Sequence, residues 1–256
     1  MSLPPPLTAL TDLDAQLAAS GYAVLDAASL ARLAGAAPQA FEAWHACWDD
    51  LPPDGYLRDG GRYRRRRHAC FTVAPGGAQA GQRLQPVPNR AHWQPLDYNA
   101  LHGGIERWFE PMHPAMTHDA PWAQLLAALA DLAGRLRGVP GARWYVEAHP
   151  FRIDTTDGIG RPTPEGAHRD GVDLVAVLMV GRSGVKGGET RVFDARGPQG
   201  VRFTLSEPWS ALLLDDARVI HESTPIQPVD AAAGGHRDTL VLTFRQGGFQ
   251  GPDAPR

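Results

Sequence analysis

Apolar residues recur at helical spacing in three stretches of the first half of the chain, near residues 8–19, 37–50 and 121–137. The third is the clearest: Pro121 opens it, Leu125, Leu126, Leu129, Leu132 and Leu136 fall along one side, and Gly138 closes it. Such a stripe predicts a packing helix and asks for no chemistry. From Arg143 onward the pattern changes to short β-like runs: Trp144–Ile153, Asp173–Val180, Thr190–Phe193, Val201–Leu205, Ser210–Leu214, Val219–His221 and Thr239–Arg245. Gly, Pro and Asp separate them, and no long helices alternate with them, so the pattern predicts a sandwich or jelly roll rather than a parallel sheet. The expected fold class is therefore α+β with a mainly β core. We expect a single domain over 1–256, with a mainly helical flank over 1–140 integrated with a core over 141–246, a loop at Asp230–Gly235 and a loose tail over 247–256.

Composition narrows the function classes. A 43% hydrophobic content is enough for a substantial core. The 25 Lys+Arg against 28 Asp+Glu leave a net charge of −3, which supplies no overall field for a phosphate backbone or an anionic bilayer, so neither a nucleic-acid nor a membrane partner is expected. Two cysteines, Cys47 and Cys70, are too few for a disulfide framework and fit a reducing cytoplasm. No window approaches the roughly 20 apolar residues that span a bilayer, and Met1–Pro6 has no basic region followed by an apolar core. A cytoplasmic location is the expectation.

The sharpest chemical feature is His168-Arg169-Asp170, just before the run that starts at Asp173. Residues i and i+2 of an extended chain point to one side, so an imidazole and a carboxylate converge while Arg169 faces away. A third ligand is available at His221, on a separate strand. Two histidines and one carboxylate on one face of a metal leave positions open, the arrangement of non-haem iron oxygenases. The chain holds a second such triplet, His236-Arg237-Asp238, but no histidine follows it. The His-Arg-Asp triplet also occurs in kinases, but neither a glycine-rich phosphate loop nor Asp-Phe-Gly accompanies it here. The second triplet offers Arg237 and Thr239 on one side of a strand, a planar guanidinium fork and a hydroxyl suited to a carboxylate.

The run Arg62-Tyr63-Arg64-Arg65-Arg66-Arg67-His68 admits two readings. As an extended segment it places Arg64 and Arg66 on one face and Arg65 and Arg67 on the other, so one pair can look into a pocket; alternatively the run is a charged edge strand. A nucleic-acid patch is disfavoured, because the run stands alone in a slightly acidic chain. His149 and Arg152 alternate to opposite faces of the first long β run, so either can line a substrate pocket, while a buried, hydrogen-bonded histidine is the plainer reading of His149. Asp215 and Asp216 read as turn-shaping residues, Glu189 as a possible neighbour of the metal ligands, and Trp44, Trp48, Trp108 and Phe109 as packing residues.

Taken together, the residues resemble the Fe(II)/2-oxoglutarate dioxygenases of the isoleucine-hydroxylase type, a group that also includes biofilm- and stress-linked proteins. The resemblance rests on Ala167 to Asp173, Gly187-Gly188-Glu189-Thr190, Leu214-Asp215-Asp216 leading to His221 to Ile226, and Arg237 to Phe244. Upstream it extends to Tyr56 to Gly60, Tyr63 to Arg66 and Asn99 to Pro111, and so covers roughly 55–245. It implies a double-stranded β-helix with flanking N-terminal helices and ferrous iron at His168, Asp170 and His221. It further implies 2-oxoglutarate as cosubstrate with its far carboxylate at Arg237 and Thr239, O2 as oxidant, and a free L-amino acid as substrate. Arg237 stands further beyond His221 than the equivalent residue in many relatives; the Ala/Gly loop at 230–235 can absorb the difference, and Arg245 is the fallback. Two alternatives stay open: a zinc enzyme on the same ligands, and a non-enzymatic metal or oxoacid sensor on the same fold. Oligomeric state is left undetermined.

Overall fold

The computed structural model describes residues 3–76 and 79–252. Its strands are β1 (Tyr22–Leu25), β2 (Arg64–Arg66), β3 (Ala69–Val73), β4 (Leu84–Val87), β5 (Trp144–Asp154), β6 (Leu174–Ser183), β7 (Val185–Gly187), β8 (Thr190–Asp194), β9 (Gly200–Phe203), β10 (Ala211–Asp215), β11 (Val219–Ser223), β12 (Ile226–Pro228) and β13 (His236–Arg245). The large antiparallel sheet runs β1-β10-β6-β13-β5-β3-β4, with β2 also paired to β5. Two smaller sheets, β11-β8-β9 and β12-β7, complete a double-stranded β-helix.

The period-2 alternation of the central strands decides which side chains reach which layer. Even-numbered residues of β5, β6 and β13 (Trp144, Val146, Ala148; Leu174, Ala176, Leu178; Leu240, Leu242, Phe244) join the core under the helices. That core includes Trp122, Leu125, Leu126 and Leu129 of the helix Ala120–Arg137, together with the aromatic group Trp44, Phe41 and Trp209. Odd-numbered residues of β6, with Leu212 and Leu214 of β10, pack instead against Val192, Phe203 and Val219 of the smaller sheet. The odd-numbered residues of β5 and β13 line a cavity between the layers.

The helix expected over 121–137 is observed as Ala120–Arg137, and Gly138 closes it at φ 67. The stretch near 8–19 forms a short 3-10 turn and the helix Leu13–Ser20, and that near 37–50 forms Pro38–Glu42 and a 3-10 turn at His45–Trp48. The first 140 residues are less helical than expected. They contribute β1, β2, β3 and β4 to the large sheet, because short runs such as Tyr22–Leu25 gain their pairing from distant strands that local periodicity does not reveal. The end of the chain also differs from the loose tail expected over 247–256. Phe249 packs edge-on against Tyr145 at 5.0 Å and under Arg90, and Gln250 is bonded into the site described below. Residues 253–256 lie outside the described ones. Gly187, in the turn out of β7, sits at φ 81, where an added Cβ would lie 2.4 Å from the Pro225 carbonyl.

Candidate metal centre and its cavity

His168 and Asp170 lie in the connection between β5 and β6. The backbone of His168 forms an isolated antiparallel bridge with His221 of β11: His168 N donates to His221 O at 3.0 Å, and His221 N to His168 O at 2.9 Å. The bridge sets the two imidazoles side by side, 4.6 Å between centroids. One Asp170 oxygen stands 3.8 Å from His168 Nε2 and the other 3.7 Å from His221 Nε2. One ligand atom from each residue falls within 4.8 Å of the others, so the three can hold one ion.

Hydrogen bonding prepares the donors. Gly166 O can only accept, so the 2.9 Å contact puts the His168 proton on Nδ1 and leaves the Nε2 lone pair toward the centre. Burial and the neighbouring His168 hold His221 well below the usual imidazole range, hence neutral and able to ligate. At His168 burial works the same way, but the carboxylates of Asp170 and Glu165 outweigh it and raise the pKa. Gln94 Nε2 donates to Asp170 Oδ1 at 3.1 Å; its own orientation is fixed because Oε1 accepts from Asn99 Nδ2 at 3.0 Å and Arg107 at 2.9 Å.

Asp216 has a more definite task than shaping a turn. Its carboxylate accepts the backbone N–H of Asp170, Gly171 and Val172 at 2.9, 2.8 and 3.1 Å, clamping the loop that carries the acidic ligand. Gln250 Nε2 grips the same loop from the other side through Asp170 O and Gly171 O, at 3.0 and 2.9 Å. Gly171 lies at φ 75, where a Cβ would meet Gln250 at 2.8 Å. Burial raises Asp170, and burial with the adjacent Asp170 charge pushes Asp216 up to about 7. Asp170, Asp216 and Glu165 together crowd negative charge into a buried space. A divalent cation relieves that crowding, so the donor set fits a metal in charge as well as in geometry.

Arg237 and Thr239 occupy the cavity face of β13, each 3% exposed. A bulge in β6, where the pairing shifts between Asp238 and Thr239, brings Arg182 directly opposite Arg237. Two guanidiniums in cross-strand register repel each other, and Arg237 makes no ion pair within 4.0 Å among the described residues. Burial and Arg182 lower its pKa to about 10, with Asp238 acting the other way, which leaves it a cation at neutral pH.

Beyond the metal end, the cavity is walled by Arg64, Arg66, Arg107, Glu147 and His149. The strand reading of the arginine run holds. Arg64 and Arg66 turn inward, at 6% and 2% exposure, whereas Arg65 pairs with Asp154 and Arg67 with Glu110 on the outside. Arg66 is sandwiched between the rings of Phe109 and Phe151, at 4.0 and 4.3 Å. His149 lines the cavity, and Arg152, the other candidate on this strand, does not. It falls on the opposite face of β5 and makes a two-pronged ion pair with Asp238 at 2.8 and 2.7 Å. Glu189 pairs with Arg191 at 2.9 Å, off the cavity wall. Trp44 and Trp48 are core residues, whereas Trp108 is 54% exposed and only its neighbour Phe109 is buried. Unforeseen from the sequence were His92, Gln94, Asn99, Arg107, Glu147 and Glu165. Of these, Glu147 stands two residues before His149 on the same face, and Asn99 and Arg107 lie in the segment that carries the resemblance; the others left no signal.

An antiparallel double-stranded β-helix whose cavity is lined by two imidazoles and a carboxylate close together, and by a buried guanidinium, defines a non-haem iron oxygenase scaffold. The sequence profile of the 2OG-Fe dioxygenase family matches residues 45–243, and the chain belongs to that family, whose members use Fe(II), 2-oxoglutarate and O2. A bsmA homolog from Methylobium petroleophilum PM1 is 56% identical over 97% of this chain and 98% of its own, with a TM-score of 0.89. The same fold is found in IDO from Bacillus thuringiensis, 16% identical over 94% of this chain and all of that one, TM-score 0.69. It recurs in the Fe(II)/(alpha)ketoglutarate-dependent dioxygenase TqaL, 18% identical over 93% and 87%, TM-score 0.65. No curated protein matches the sequence. Among the described residues, no helix is long and apolar enough to cross a membrane.

Proposed function

We propose that the chain hydroxylates a small carboxylate-bearing substrate, a free L-amino acid, with ferrous iron held by His168, Asp170 and His221. In this reading Arg237 and Thr239 anchor the far carboxylate of 2-oxoglutarate. The observation that carries the substrate reading is a second group of buried guanidiniums in the same cavity, away from Arg237. Arg107 has no carboxylate within 4.0 Å among the described residues, and the nearest to Arg66 is Asp54 at 4.0 Å. With Arg237 assigned to the cosubstrate, Arg66 and Arg107 are free for a second anion. The walls there are 2–7% exposed at Arg66, Arg107, His149 and Glu147, a space for a small molecule rather than a chain.

Iron at the triad supplies the redox chemistry that converts 2-oxoglutarate, O2 and a C–H bond to succinate, CO2 and C–OH. The chain's own residues supply placement. Asp216 and Gln250 fix the loop of Asp170, and Gln94 fixes its carboxylate. Arg237 orients one acid by its far end, and Arg66 and Arg107 take the other. Gln94 bonds both Asp170 and Arg107, so the substrate's charged end is held at a set distance from the metal ligand. An alanine at Asp216 leaves every ligand in place but deprives three N–H groups of their acceptor, and ferrous affinity is expected to fall about 10- to 100-fold, as for other supports of metal ligands. Equilibrium dialysis under argon reads this directly.

The experiment for the reaction is succinate formation from 2-oxoglutarate under O2 with added ferrous iron and a panel of free amino acids, the products read by mass for a gain of one oxygen. Turnover with at least one amino acid is expected. Tight binding of iron and 2-oxoglutarate without turnover on any member would favour the sensor.

A further inference from the structure

Glu147 projects from β5 into the cavity and is 7% exposed. Three imidazoles frame it. His92 Nδ1 lies 2.5 Å and His68 Nε2 3.2 Å from its Oε2, and His149 Nε2 lies 3.6 Å away. Both of those hydrogen bonds fall on Oε2; none reaches its other oxygen, Oε1, among the described residues, and Glu147 lines the cavity.

The protons on these rings can be placed. An Arg66 guanidinium N–H donates to His149 Nδ1 at 2.6 Å, so the His149 proton sits on Nε2, toward Glu147. Burial keeps His92 and His149 neutral; burial also opposes ionisation of Glu147, but the surrounding imidazole N–H groups outweigh it and hold the carboxyl well below its usual range. With His92 donating through Nδ1, its Nε2 is a lone pair, and no hydrogen bond reaches it among the described residues. The wall therefore presents two unpaired acceptors, Glu147 Oε1 and His92 Nε2, facing the same cavity as the donors of Arg66 and Arg107.

His68, His92, Glu147 and His149 also stand close enough together to hold a metal ion. The proton positions argue against it: a divalent ion would need the lone pair that His149 lacks, and it would sit beside Arg66 and Arg107. A primary ammonium offers N–H donors and one positive charge, which match two acceptors, one of them anionic.

We propose that Glu147 and His92 form a receptor for a primary ammonium group on the substrate, opposite the guanidiniums of Arg66 and Arg107. The site reads the amino end of the molecule whose carboxylate those arginines take. The ammonium half stands on its own geometry; the pairing with a carboxylate rests on the amino-acid reading above.

The test is anaerobic binding to the ferrous, 2-oxoglutarate-loaded protein of three matched aliphatic series: L-amino acids such as leucine, the same acids without the amino group (isocaproate), and the same amines without the carboxylate (isoamylamine). The amino acid is expected to bind about 10- to 100-fold more tightly than its des-amino analogue, the range for hydrogen bonds to charged groups. Glu147→Gln should erase that preference, weakening amino acid and amine together and leaving the des-amino acid unchanged. Amines that bind and depend on Glu147 when no amino acid binds would sink the amino-acid reading and keep the ammonium site. A des-amino acid binding as tightly as the amino acid in the unaltered protein, with no binding of amines, would overturn the proposal without any variant. So would a Glu147→Gln loss that is equal for all three series, or a second bound metal ion that persists in His168→Ala and disappears in Glu147→Gln.

Discussion

Asp170→Ala is expected to abolish turnover and to weaken ferrous binding by more than the about 10- to 100-fold that follows loss of a supporting partner. Asp170 is the one anion in the proposed ligand set, so the substitution removes charge as well as a donor. The carboxylate is held by Gln94 from the side and through its backbone by Asp216 and Gln250, which makes the ligand position preorganised rather than mobile. The residue lies in the connection before β6 and not in a strand, so the sheet pairing around it does not depend on its side chain. An unchanged melting temperature of the metal-free protein, together with lost iron in dialysis, is the expected pair of results. Retention of one tightly bound ferrous ion would remove Asp170 from the metal site.

Arg237→Ala should lower the affinity for 2-oxoglutarate roughly 10- to 100-fold, from about 1.5–3 kcal/mol for charge-assisted hydrogen bonds. The physical case is the unpaired buried cation. Arg237 faces Arg182 across the strands and has no carboxylate within 4.0 Å among the described residues, so an arriving dicarboxylate relieves repulsion as well as forming bonds. Arg237→Lys should recover only part of the loss, because an ammonium cannot offer the planar two-pronged geometry. Titration calorimetry under argon separates these outcomes, and an unchanged affinity in the alanine variant would move the anchor to Arg245, which lines the same cavity.

The metal end of the site was legible in the sequence because its logic is local. His168 and Asp170 are two apart, and His221 and Arg237 stand on apolar runs with clear β character. Most strands from 144 to 245 were legible for the same reason, but the three-residue β7 and β12 were not, being too short to show an alternation. The arginine run shows where local logic stops: alternation separates Arg64 and Arg66 from Arg65 and Arg67, but only the pairing of β2 with β5 decides which pair faces inward. Arg152 was misplaced by that same ambiguity, since the opposite face of β5 gives it Asp238 as partner. Gln94 was not legible, and Asn99 and Arg107 showed only as part of the segment that carries the resemblance, since all three reach the cavity from irregular chain held by side-chain bonds that leave no period in the sequence. Gln250 was missed because a Gly-rich ending reads as loose unless a distant partner is known.

The most direct test is iron-edge anomalous scattering from crystals soaked under argon with ferrous iron and 2-oxoglutarate. A single metal peak is expected, bonded by His168 Nε2, the Asp170 carboxylate and His221 Nε2, with the far carboxylate of 2-oxoglutarate on Arg237. A peak that leaves any one of those three side chains unbonded, or that lies at Glu147 instead, would contradict it.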